Sequence, residues 1–217
     1  MKAVLIGATG ATGKELLALL LADAAVTQII ALVRRPLPVE YDKLKTYIIN
    51  FDDKETWKSF VTGDVAFSCL GTTLKAAGSK EAQYKVDYTY QYAFAESAKE
   101  NGVQKLLLVS AGMANTGSMF FYSRIKGELE KSIQALNFKS LVMFRPGLLS
   151  RPQTNRSAEK LSEATLSFFN RLGLLKKMAP LPVQQLANLM LHYAKQTQQG
   201  TQIIEAAQIL QEVKVIA

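Results

Sequence analysis

Ala3-Val4-Leu5-Ile6-Gly7-Ala8-Thr9-Gly10-Ala11-Thr12-Gly13 is the stretch from which the rest of the chain can be read. Its four leading apolar residues are too few for a helix and stop at a glycine, the pattern of a short buried strand. Leu16, Leu17, Leu19, Leu20 and Leu21 then crowd residues 12–23 and predict a heavily buried helix with Thr12 as its N-cap. Between strand and helix, three glycines fall three apart. In that setting Gly7 allows a tight turn, Gly10 lets backbone approach a pyrophosphate, and Gly13 lets the helix pack closely on the strand. The helix start would offer free N–H groups and partial positive charge to phosphates. Gly7, Thr9, Gly10, Ala11, Thr12 and Gly13 are therefore the first expected cofactor contacts.

The strand–helix alternation continues. Residues 29–33, 46–50, 64–70, 105–110 and 141–144 read as further strands, and residues 54–61, 80–101 and about 119–136 as helices. Gly102 is a natural stop for the long helix. Near-continuous apolar strands separated by helices predict an α/β fold, a doubly wound parallel sheet of the Rossmann type. Past residue 150 the alternation weakens: 151–156 reads as a polar loop, 157–173 and 183–197 as helices, and 201–204 as a candidate edge strand. The expectation is one NAD(P)-binding domain over residues 1–217, with 151–200 forming a small C-terminal helical lobe on the substrate side.

The composition sets outer limits. With 217 residues, 48% hydrophobic and 20% charged, the chain fits one globular domain and excludes disordered, collagen-like and coiled-coil classes. Cys69 and His192 stand alone in their types, which excludes a disulfide framework and leaves too few soft ligands for zinc; no metal is expected. No apolar run approaches the roughly 20 residues of a membrane span. Lys2 and the triplet Ala22-Asp23-Ala24 imitate a signal peptide, but Lys14 and Glu15 interrupt its hydrophobic segment, so the chain is expected to be cytoplasmic and unprocessed. The net charge of +8 is uneven, +2 over residues 1–138 and +6 over 139–217. Without a like-charge run or a nucleic-acid motif, this predicts a basic surface rather than a nucleic-acid partner. Arg151, Arg156 and Arg171 hint at an anionic group on a small-molecule substrate. Oligomeric state is open between monomer and homodimer.

The end of the second strand bears on the cofactor. An NAD site commonly places an acid about 20 residues after the glycines, to accept the ribose 2′-hydroxyl. Arg34 and Arg35 stand there instead, with no acid before Glu40. Guanidinium groups bind a 2′-phosphate that a carboxylate would repel, so NADP(H) is expected over NAD(H).

With these residues the sequence resembles the short-chain dehydrogenase/reductase superfamily, in its atypical members and closest to the Tat-interacting oxidoreductase-like branch, sometimes grouped with epimerase-like proteins. The resemblance implies further roles. Asp52 would contact the adenine, and Leu70, Gly71 and Thr72, within Cys69-Leu70-Gly71-Thr72-Thr73, would line ribose and pyrophosphate. Tyr122-Ser123-Arg124-Ile125-Lys126 is similar to the family's Tyr-x-x-x-Lys pair, with Ser110 at the end of the fifth strand. Pro146, Gly147 and Leu148 would form the turn that covers the nicotinamide. The likeness is strongest over residues 1–150; the short stretch beyond does not match a true epimerase's substrate lobe, which puts a nucleotide-sugar substrate in doubt.

Tyr-x-x-x-Lys is a cheap pattern, since Tyr41 and Lys45 also satisfy it. Only Tyr122 has a preceding strand, a serine at its end, and a helix that puts positions i and i+4 on one face. Reduction of a carbonyl needs a proton at the developing alkoxide, and a tyrosine with ordinary pKa near 10 needs a nearby ammonium to exchange it readily. Lys126 would supply that charge and hold the ribose hydroxyls. Ser110, with Ser118 as its rival, would hold the substrate oxygen. Asp87 is read as a helix-orienting residue or a surface charge, Tyr84, Tyr88 and Tyr92 as a packing stripe, and Cys69 as a buried apolar residue. Met119, Phe120 and Phe121 line either a substrate pocket or the core. The expected activity is an NADP(H)-dependent oxidoreductase with Tyr122, Lys126 and Ser110 as its catalytic set; the alternative is a non-catalytic NADP(H)-binding sensor.

Overall fold

Strand β1 (Lys2–Ile6) is flanked on both sides by parallel neighbours, β2 (Gln28–Val33) and β4 (Val65–Ser68), and everything from Ala3 to Ile6 is buried. The computed structural model describes residues 1–38, 40–150, 180–197 and 199–216. Among these, seven parallel strands form one sheet in the order β3-β2-β1-β4-β5-β6-β9, with β3 at Leu44–Ile48, β5 at Lys105–Val109, β6 at Ser140–Arg145 and β9 at Gly200–Glu205. The order reverses between β1 and β4, so their carboxyl ends open a crevice there, the usual ligand position of such sheets.

Alternate strand residues feed two cores. Ala3, Leu5 and Leu107 face Leu16, Leu17 and Leu20 of α1 (Ala11–Ala22) and Leu186 and Met190 of a late helix. Val4, Ile6, Leu106 and Leu108 face Trp57, Phe94, Ala98, Leu129 and Ile133 on the other side. Apolar residues on both sides of a strand are what a sheet covered on two faces requires. The doubly wound α/β class expected from the sequence is therefore the observed one.

The helices of the second face are α2 (Lys54–Trp57), extended by a 3-10 turn, short α3 (Leu74–Ala77), a long helix and α6 (Phe121–Ala135). The long helix is not uniform. It runs as α4 (Lys80–Tyr84), a π-helical turn at Lys85–Thr89, and α5 (Tyr90–Glu100), ending at Gly102 with φ +80°. Three hydrogen bonds stabilise the π turn: the Gln91 side-chain amide donates at 3.2 Å to both the Val86 and Asp87 carbonyls, and Ser68 donates to the Gln91 oxygen at 2.9 Å. Such turns concentrate at functional sites.

The C-terminal stretch divides. The loop expected at 151–156, the helix at 157–173 and the three arginines of that stretch lie outside the described residues. On either side of them, β7 (Leu149–Ser150) pairs with β8 (Leu181–Pro182), and α7 (Val183–Lys195) packs on α1. The edge strand expected at 201–204 is β9, paired with β6. Helix α8 (Ala206–Val215), which the sequence reading did not anticipate, buries Ile209 and Val213 in the α1 core.

Gly13 shows how tightly α1 is set. A Cβ there would fall 2.1 Å from the Gly7 carbonyl oxygen. In an isolated helix Gly→Ala gains about 1 kcal/mol. Here the sign reverses, and Gly13→Ala is expected to cost about 1–3 kcal/mol as an overpacked contact. Urea unfolding checks it; a raised midpoint would show that α1 is not held there.

Candidate functional site

The glycine turn occupies the carboxyl end of β1. Gly7 has φ +81°, and a Cβ on it would meet the Cys69 backbone at 2.5 Å. Gly10 donates to the Gly7 carbonyl at 2.9 Å and is itself the N-cap of α1, with no side chain capping the helix and no acid in its first turn. Thr12 is buried within that first turn, which corrects its expected N-cap role: the third residue of the turn already has helical neighbours, and Gly10 takes the extended cap position. A helix start without a side-chain cap, seated at the switch point of the sheet, fits a dinucleotide's phosphates.

Arg34 and Arg35 follow β2 on the same edge and are exposed. Nearby, Asp52 accepts from Lys85 Nζ at 2.9 Å and from Tyr90 Oη at 3.0 Å. The Lys85 hydrogen bond, then that of Tyr90, holds the Asp52 carboxyl below the usual range. Burial raises the Tyr90 phenol, as does its bond to Asp52, while Arg34 pulls weakly the other way. Lys85 and Tyr90 were not foreseen as partners of Asp52, because only the π turn and the following helix bring them to it.

The loop after β4 carries Leu70, Gly71 and Thr72, and Thr73 caps α3 through the Ala76 N–H at 3.1 Å. Directly beneath lies Asp87, fully buried. Its Oδ1 is 3.1 Å from Lys126 Nζ, and its Oδ2 accepts a long hydrogen bond, 3.4 Å, from the Thr72 N–H. A Cβ on Gly71 would sit 3.6 Å from Oδ1. The surface-charge reading of Asp87 is thereby corrected; the π turn swings it inward.

Tyr122 stands half-buried on the first turn of α6, and Lys126 one turn further on is buried. Burial pushes the Tyr122 phenol well above its ordinary value, and the Asp87 carboxylate adds to the rise. The sequence reading had Lys126 drawing Tyr122 toward phenolate; in this structure that ammonium faces Asp87. Ser110, also buried, donates to Glu130 Oε1 at 2.5 Å. Glu130 holds Arg145 through three contacts of 2.6–3.2 Å, and Arg145 reaches Glu205 at 2.8 Å. Ser118 accepts from the Phe120 N–H at 3.2 Å. Tyr122, Lys126 and Glu130 thus share one face of α6 at four-residue spacing, and the sequence carries the third position of that spacing as plainly as the first two.

Two close contacts fix the loops around this face. The Asn115 N–H donates to the Ser123 carbonyl at 3.0 Å, and a Cβ on Gly127 would lie 2.4 Å from the backbone of Asn115 and Thr116. The Gly112 N–H donates to the Pro146 carbonyl at 3.0 Å, tying the loop after β5 to the Pro146-Gly147-Leu148 turn. Burial pushes the Cys69 thiol up to about 12, which suits a packing residue and not a nucleophile. Tyr84, Tyr88 and Tyr92 stack at 4.9 and 6.0 Å, as a packing stripe would. Met119 and Phe120 are exposed, so they belong to the rim and not to the core. A surface cavity of about 500 Å³ at the opposite sheet edge, lined by Met1, Asp64, Lys105 and Lys195 among others, contains none of the expected site residues.

A parallel sheet with this strand order and an uncapped glycine turn at its switch point defines a Rossmann domain of the dinucleotide-binding class. The chain belongs to the NAD(P)H-binding family, whose model matches residues 7–165. It is 38% identical over 153 residues to the mitochondrial protein FMP52 of Meyerozyma guilliermondii, a match covering 69% of this chain and 65% of that protein, so the chain spans about two thirds of that relative's length. Among solved structures, UDP-glucose 4-epimerase of Thermotoga maritima with UDP-glucose superposes with a TM-score of 0.71 at 12% identity, covering 100% of this chain and 81% of the other. A short-chain dehydrogenase of Burkholderia cenocepacia with NADP gives 0.66 at 16% identity, covering 98% and 92%. The fold is that of NAD(P)-dependent oxidoreductases and epimerases of the atypical short-chain type, and structures sharing it carry NAD in some cases and NADP in others. Among the described residues no helix is long and apolar enough to cross a membrane.

One expectation is overturned. FMP52 relatives from three fungi are named mitochondrial, which points to mitochondria rather than the cytoplasm. A single thiol and a lack of apolar runs suit either compartment, so composition had no power to separate them.

The Glu130–Arg145 pair joins α6 to β6 beneath the site, with Glu130 almost fully buried. Without Glu130, Arg145 would keep Glu205 at the surface, while the buried Ser110 hydroxyl would lose its acceptor. Glu130→Ala is therefore expected to cost about 1.5–3 kcal/mol of stability in denaturant unfolding. A loss within 1 kcal/mol would show that the pair does not hold α6.

Proposed function

We propose that this protein is an NADP(H)-dependent oxidoreductase that interconverts a small carbonyl compound and its alcohol, with Tyr122 as the acid/base. The observation that carries this reading is the grouping of Tyr122, Lys126 and Asp87 directly under the loop Gly71–Thr72, on the same sheet edge as the glycine turn. Gly7, Thr9, Gly10, Ala11, Thr12 and Gly13 would hold the pyrophosphate, Leu70, Gly71 and Thr72 the ribose, and Pro146, Gly147 and Leu148 the nicotinamide side. Arg34 and Arg35 support NADP(H), because exposed guanidinium groups at the end of β2 suit a 2′-phosphate. The Asp52 carboxylate beside them is already matched by Lys85, so it adds little repulsion.

When bound, the nicotinamide supplies or accepts the hydride. In reduction, Tyr122 Oη gives its proton to the substrate oxygen as the carbonyl carbon gains that hydride, and the phenolate regains a proton from solvent. Lys126 stabilises the phenolate formed in that step and reaches the ribose hydroxyls. Ser110 holds the substrate oxygen by exchanging Glu130 for it. The arginines at 151, 156 and 171 in the sequence favour an anionic substrate. That Ser110 donates to Glu130 in this structure supports the second reading, a protein that binds NADP(H) without turnover.

Calorimetric titration with NADPH and NADH tests the cofactor. NADPH should bind at least tenfold tighter, about 1.4 kcal/mol, and Arg34→Ala with Arg35→Ala should weaken NADPH far more than NADH. Equal losses would remove the 2′-phosphate argument. Tyr122→Phe should lower turnover by about 10²–10⁴-fold while NADPH still binds. Unchanged turnover would mean that another group donates the proton, and NADPH binding with no turnover by the wild type on any carbonyl would favour the sensor.

A further inference from the structure

Fully buried charges are rare unless they are paired, and an apolar pair of similar volume would usually fill the same space at no loss of stability. Asp87 and Lys126 are 0% and 1% exposed, 3.1 Å apart, and lie at the one place where the cofactor loop, the long helix and α6 converge. Their contact is electrostatic in character: Asp87 Oδ1 has no well-directed hydrogen bond. The backbone is distorted to put it there. A π-helical turn at Lys85–Thr89 carries Asp87 inward, and the buried Ser68–Gln91 pair occupies the carbonyls of Val86 and Asp87 within that turn. So much local structure around one carboxylate needs a reason beyond packing.

We propose that Asp87 is a positioning residue that holds the Lys126 ammonium beneath the Gly71–Thr72 loop and offsets its charge at the Tyr122 site. The inference rests on the oxidoreductase reading above and adds a further positioning residue to its proton-transfer site. The charged and titratable groups on the surrounding elements are otherwise engaged. On α6, Glu130 is taken up by Arg145 and Ser110, and Arg124 and Glu128 lie 4.0 Å apart at the helix surface. On the π turn Lys85 pairs with Asp52, and on α4 the Tyr84 phenol is raised by burial and then by Glu128. Cys69, at the end of β4, is a neutral thiol. Burial raises the Tyr122 phenol first, and the Asp87 carboxylate adds to the rise. The balance in reduction is simple: the O–H bond of Tyr122 breaks, a new O–H bond forms on the substrate oxygen, and the hydride from the reduced nicotinamide forms the new C–H bond.

The test needs no substrate. Ultraviolet titration of tyrosinate in the free protein, taken as the difference from the same protein bearing Tyr122→Phe, isolates the Tyr122 transition. In the wild type its midpoint should lie above the ordinary value of about 10. Asp87→Asn should lower it by at least about one unit, a tenfold change in the proton equilibrium, because Lys126 is then left to stabilise phenolate. Asp87→Asn combined with Lys126→Met should return it most of the way. An unchanged midpoint in Asp87→Asn overturns the proposal, as does a drop that persists in full without Lys126. Should Asp87→Asn lose its circular dichroism, Lys126→Met decides: with the Asp87 charge no longer offset, the Tyr122 midpoint should rise above that of the wild type, and an unchanged midpoint overturns the proposal. Where turnover is found, the alkaline limb of the reductive rate should move down with the same variant. Absence of turnover would count against the oxidoreductase reading alone, since the titration is read without it.

Discussion

The carbonyl oxygen of Gly7 leaves no room for a side chain at residue 13, and much of the structure follows from that contact. It sets the first turn of α1 against the end of β1, so the free N–H groups of the helix start point into the crevice between β1 and β4. The same placement fixes the outer face of α1, on which α7 then packs. From α7 the chain reaches β9, which closes the sheet edge beside β6, and α8 completes the core under α1. A contact between two glycines thus connects the nucleotide turn to the last helix of the chain.

Much of the fold was legible because its central strands are buried on both faces and appear as unbroken apolar runs. The edge was harder. β3 has no fully buried residue and exposes Lys45 and Ile48, so its apolar signal is diluted, and it lies at 44–48 where the sequence pattern had placed it at 46–50. The long helix shows the opposite difficulty. Tyr84, Tyr88 and Tyr92 keep a helical rhythm through the π turn, so periodicity gave no warning of the extra residue that turns Asp87 inward. α8 was missed because Gln208, Gln211 and Glu212 interrupt its short apolar face, which acquires meaning only against α1 and α7.

At the site, residue types were easier to read than their partners. The glycines, the arginine pair and the Tyr122–Lys126 spacing are local patterns, fixed by turn and helix geometry. Which charge each side chain meets is a tertiary matter: Lys126 meets a residue 39 positions earlier, and Ser110 meets one 20 positions later. Sequence spacing supplied the helix face that carries Tyr122, Lys126 and Glu130 but could not say that each position meets a different element. Lys126 meets the cofactor-side turn, and Glu130 meets the ends of β5 and β6.

That division gives α6 its place in the site. Its N-terminal half is held by the loop at Asn115 and Thr116, which the absent side chain of Gly127 admits, and its lower half by Arg145. Between these two anchors Lys126 has one partner, and that partner also accepts from the loop at Thr72. A shift of the loop therefore moves Asp87 and the charge beside Tyr122 together, because all three are in contact within a closely packed interior that deforms little. Family membership alone would not say whether such a site turns over. A buried carboxylate links the Gly71–Thr72 loop to Lys126, so whatever displaces that loop also acts on the partner of the Lys126 ammonium.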